Sequence, residues 1–162
     1  MIAIKINDVK NFIQKLLLDN TFDLFLVGDI EINSYTNFSI SGRLNSDFNI
    51  NSKDDLNEEF IYWRDIKPTI NAILKNEKAP SKIKLVFSIP HHKYNDLCTS
   101  LNIGLSPNDI GGLYLNVTFE NNAVSIITGA TINTFTMDKS LDQCWDKYCQ
   151  HFLSKNFDIS IL

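Results

Sequence analysis

One pattern occurs twice in this chain and narrows the folds open to it. Phe38-Ser39-Ile40-Ser41-Gly42-Arg43-Leu44 and Val124-Ser125-Ile126-Ile127-Thr128-Gly129-Ala130 each carry an alternating run into a glycine. Alternation marks a strand with one buried face, and a glycine inside a strand marks a bulge or a bend. Each run follows a longer alternating segment and, before that, a short strand and an amphipathic helix. Each precedes a helix bearing a tryptophan, Trp63 and Trp145. The order predicts an α+β fold: an internally duplicated strand, helix, three or four antiparallel strands, helix unit, forming one curved antiparallel sheet with helices on one face. The repeats would span about 1–77 and about 82–155 of one domain covering residues 1–162, with Gly42 matching Gly129 and Trp63 matching Trp145.

Local patterns fill in the elements. Ile2, Ile4 and Ile6 alternate, and Asn7 or Asp8 caps a helix whose Val9, Phe12, Ile13, Leu16 and Leu17 share one side. From Leu24 a second alternation puts Leu24, Leu26, Ile30 and Ile32 on one face and Phe25, Val27, Asp29 and Glu31 on the other. Asn49 to Glu59 reads as a surface loop with a helical turn at Asp54 to Glu59, and Phe60 to Trp63 as a short strand. Asp65 reads as an N-cap that places Pro68 in the first helical turn, where no amide hydrogen is needed. In the second half Tyr94, Leu97, Cys98 and Leu101 have helical spacing, Asn121-Asn122 suits a two-residue hairpin turn, and Ser140-Leu141-Asp142-Gln143 reads as a capping box. The tail from Phe157 to Leu162 fits an edge strand.

Composition narrows the function classes. The net charge is −4, and Arg43 and Arg64 are the only arginines, whereas nucleic-acid binders commonly show a basic, arginine-bearing stripe. Specific nucleic-acid binding is therefore not expected, nor is a membrane span, since no apolar run nears the roughly 20 residues required. Cys98, Cys144 and Cys149 are odd in number and lack Cys-x-x-Cys spacing, which fits reduced thiols in a cytoplasmic setting. His91 and His92 would point about 100° apart on a helix and do not suit one metal. Neither a metal nor a cofactor is expected. Lys75, Lys78, Lys82 and Lys84 form a basic joint between the halves.

Four segments resemble a small bacterial family of unknown function over nearly the whole chain. They are Gly42-Arg43-Leu44, Tyr62-Trp63-Arg64 with Pro68, Gly111-Gly112-Leu113-Tyr114-Leu115-Asn116, and Thr134 to Leu141 leading to Trp145. The resemblance implies no catalytic motif and no activity. In outline, the duplicated plan is also similar to the TATA-binding protein and, less closely, to sliding-clamp domains, although fold alone says little about function.

The candidate site is the sheet face opposite the helices, bearing Phe25, Asp29, Glu31, Ser39, Ser41, Arg43, Tyr114, Asn116 and Glu120. Arg43 is expected across the hairpin from Asp29 and Glu31, a charge cluster that the second half lacks because Ala130 stands in the matching place. The first reading is a non-enzymatic cytoplasmic module that binds a protein or small ligand, with Arg43 as anchor. A second is a nucleic-acid saddle, opposed by Asp29, Glu31 and Glu120, which repel phosphate. A third is an enzyme using Asp29, Glu31 and Arg43 as acid, base and anion clamp.

Overall fold

A computed structural model describes residues 1–45, 58–76, 78–100 and 104–162. The elements are β1 (Ala3–Ile6), α1 (Val9–Leu17), β2 (Leu26–Asn33), β3 (Asn37–Ser41), β4 (Ile61–Tyr62), α2 (Trp63–Asn76) and β5 (Lys82–Ser88). There follow α3 (His92–Ser100), a 3-10 turn at Pro107–Asp109, β6 (Ile110–Glu120), β7 (Ala123–Ile132), α4 (Ser140–Asn156) and β8 (Ile159–Ile161). The strands form one antiparallel sheet in the order β3-β2-β5-β6-β7-β1-β8, with β4 joined to β2. The α+β class is as the sequence implies.

Alternation settles which side of each strand is buried. Ile4 and Ile6, Ile30 and Ile32, Leu85 and Phe87, Leu113, Leu115 and Val117, and Val124 and Ile126 enter one hydrophobic cluster. The helices supply Phe12 and Leu16, Trp63 and Ile70, Leu97, and Leu141, Trp145 and Leu153 to that same cluster. All four described helices therefore pack on one face of the sheet. Phe22, in the connection before β2, touches the rings of Phe12, Phe25, Phe87, Phe152 and Phe157. A buried aromatic side chain contributes about 1.5–3 kcal/mol, and a ring at the centre of others adds edge and stacking contacts.

Pairing does not repeat between the halves. β5 lies between β2 and β6, whereas β1 lies between β7 and β8, far from β2. The glycines also differ. Gly42 donates to the Gly28 carbonyl at 2.7 Å, and a Cβ there would fall 1.8 Å from the Val27 carbonyl oxygen. A Cβ on Gly129 would meet nothing nearer than 3.9 Å. What the halves share is the use of tryptophan: the Trp63 indole donates to the Leu16 carbonyl at 2.9 Å, and that of Trp145 to the Tyr114 carbonyl at 2.8 Å.

Three local expectations are corrected. Phe25 and Val27 are buried with the core and Leu24 is 55% exposed, because the β2–β5 register shifts between Val27 and Ile30. A β-bulge inserts a residue and swaps the faces on either side of it, so simple alternation fails there. α2 starts at Trp63, not after Asp65, and Pro68 lies inside it; Phe25 and Asp23 carbonyls accept from the Trp63 and Arg64 amides and so anchor the start. Ser140 is the first residue of α4 rather than its cap, and the Asp138 carboxylate accepts from both its amide and its hydroxyl. Asp8 caps α1 by accepting from the Asn11 amide at 3.0 Å. Asn121 and Asn122 take φ of 53° and 57° in the β6–β7 turn, and β8 pairs with β1. The helical turn read at Asp54 to Glu59 and the helical position of Leu101 lie largely outside the described residues.

Candidate functional site

The sheet side away from the helices carries the alternate residues of each strand. Register sets Ser41 opposite Asp29 and Ser39 opposite Glu31 on β3 and β2. On the other flank Lys84 stands opposite Glu31 and opposite Thr118, while Val86 stands opposite Asn116. Asp29, Glu31, Ser39, Lys84, Val86, Asn116 and Thr118 line a shallow groove of about 370 Å³. Lys84 Nζ is 4.0 Å from a Glu31 carboxylate oxygen, with both side chains about half exposed. The Asn116 carboxamide donates to the Ile127 carbonyl at 3.2 Å, which leaves its oxygen directed elsewhere as an acceptor. Two carboxylates and one ammonium leave the groove net acidic, over an aliphatic floor formed by Val86.

Several of the residues picked out from sequence meet here and others do not. Asp29, Glu31, Ser39 and Asn116 come together; Phe25 is in the core. Arg43 is not across from the carboxylates, because β3 and its pairing with β2 end at Ser41, opposite Asp29. It forms an isolated bridge to Phe60, stacks over that ring at 5.2 Å and pairs with Glu59 at 3.6 Å. The trio Asp29, Glu31 and Arg43 is thus not assembled. Glu120 pairs with Lys82 at 3.4 Å. Tyr114 lays its ring over Gly112, where a Cβ would fall 2.2 Å from the phenol oxygen. Lys84, Val86 and Thr118 were missed as site residues, although the alternation of β5 and β6 places them on this face.

The three cysteines are buried. Burial pushes the thiols of Cys98, Cys144 and Cys149 upward, which disfavours the nucleophilic thiolate. The His91 ring packs edge-on to Tyr94 at 4.9 Å. Among the described residues no group of three or more His, Cys, Asp or Glu side chains is placed to hold a metal ion, and no helix is long and apolar enough to cross a membrane. Three lysines of the basic joint are engaged: Lys78 over Tyr35 at 5.2 Å, Lys82 with Glu120 and Lys84 with Glu31.

Residues 15–160 match the model of a family of unknown function, DUF5721, and the chain belongs to that family. No curated protein and no solved structure matches it significantly.

Proposed function

We propose that this chain is a non-catalytic, cytoplasmic binding module that uses the open sheet face to hold a small ligand bearing a cationic group. The observation that supports this most is the groove itself: Asp29 and Glu31 on one wall, hydrogen-bonding Ser39, Asn116 and Thr118 around it, and Val86 beneath. Side chains two apart on a strand sit roughly 7 Å from each other, so the carboxylates can flank one ammonium or guanidinium. Polar atoms fix orientation while an aliphatic floor adds contact area. The acidic balance disfavours a phosphate backbone and hence the nucleic-acid reading.

The test is titration of ¹⁵N-labelled protein with arginine amide, followed by amide shifts. Saturable shifts confined to β2, β5 and β6, lost in Asp29→Asn, support the reading. Shifts scattered over the helices, or equal binding by Asp29→Asn, reject it.

A further inference from the structure

On the helical side of the strands that carry the groove lies a hollow of about 290 Å³. Leu16 and Leu17 of α1, Trp63 and Leu74 of α2, Ile83 of β5 and Phe119 of β6 form its walls. Ala79 and Pro80 of the joint and Asn122 of the hairpin turn stand at its rim. Leu17, Leu74, Ile83 and Phe119 are only half-buried, so large apolar side chains face space that no side chain among the described residues fills. Protein interiors hold few voids larger than a water molecule, and an apolar void of about 150 Å³ stays dry and takes up benzene.

The wall also lacks polar groups to offer water. The Trp63 indole is committed to the Leu16 carbonyl at 2.9 Å, and the Asn71 carboxamide to the Leu17 carbonyl at 3.0 Å. Both carbonyls at the end of α1 are thus satisfied from within the protein. Among the described residues of the lining, Asn122 carries the one polar side chain besides the committed Trp63 indole. A charged group would enter without a counter-charge from the described lining residues, at a steep desolvation cost.

We infer that this hollow is a second binding site, for an uncharged apolar molecule of about twice benzene's bulk with at most one hydrogen-bonding end, directed to Asn122. It is separate from the groove and does not depend on it.

The probe is 1-decanol, followed through the two indole N–H signals of ¹⁵N-labelled protein. The expected result is a saturable shift of the Trp63 signal with Trp145 unmoved. Ala79→Phe, at an exposed rim position, should fold normally and bind at least ten-fold more weakly. Asp29→Asn should bind 1-decanol as the wild type does, which separates this site from the groove. Decanoate should bind more weakly than 1-decanol. A shift that does not saturate, equal movement of both indoles, undiminished binding by Ala79→Phe, or tighter binding of decanoate would each overturn the inference.

Discussion

The two sides of β5 obey opposite rules. Leu85 and Phe87 point into the helices and are at most 2% exposed, while Lys84 and Val86 point away and line the groove. One strand therefore supplies fold stability with half of its side chains and recognition chemistry with the other half. The difference teaches that residues adjacent in sequence are not equally open to change here, since parity decides what a substitution costs.

The largest expected contrast lies within that strand. Phe87→Ala should cost about 3–5 kcal/mol, as deletion of a fully buried ring does, read from urea denaturation. If instead it cost no more than Lys84→Ala, the division between faces would be wrong. Next comes Gly42→Ala, which sets a methyl against the Val27 carbonyl and should destabilise by more than about 2 kcal/mol. Gly129→Ala, where the added methyl makes only ordinary contacts at 3.9 Å or more, should stay within about 1 kcal/mol.

Alkali sharpens the same contrast. Burial pushes the Tyr94 phenol up to about 12, above the roughly 10 of an unfolded chain. The folded protein therefore holds this proton more tightly, so the associated stability is present below about pH 10 and is lost as pH rises toward about 12. Tyr94→Phe should flatten that decline in a pH series of denaturation midpoints. The smallest expected effect is on the open face: Glu31→Gln and Lys84→Ala should each change stability by less than about 1 kcal/mol, as half-exposed ion pairs do. A larger loss would make the pair structural.

Much of this was legible in the sequence because alternation and helical spacing report burial directly. The element order, the Asn121-Asn122 turn and the open-face positions of Asp29, Glu31 and Asn116 follow from it. Strand order did not, since pairing is chosen by whole faces and connections that a linear pattern does not encode; hence the expected repeat is not mirrored in the sheet. The bulge between Val27 and Ile30 contains Gly28, a glycine signal that the plain alternation passed over, and it reversed the reading of Phe25. Arg43 was drawn to the carboxylates by parity, but β3 ends at Ser41 and Arg43 bridges Phe60 instead. The hollow behind β5 was invisible because its walls come from segments remote in sequence, each an ordinary apolar stripe taken alone.

The position of β1 bears on how the chain is made. Ala3 pairs with Ile127 and Ile6 with Ile159, so β1 is synthesised well before the two strands that pair with it. At about 5–20 residues per second, Ile4 and Ile6 wait on the order of ten seconds for their partners. Through that interval an apolar strand remains unpaired, and nascent chains of this protein should engage chaperones until β7 and β8 emerge.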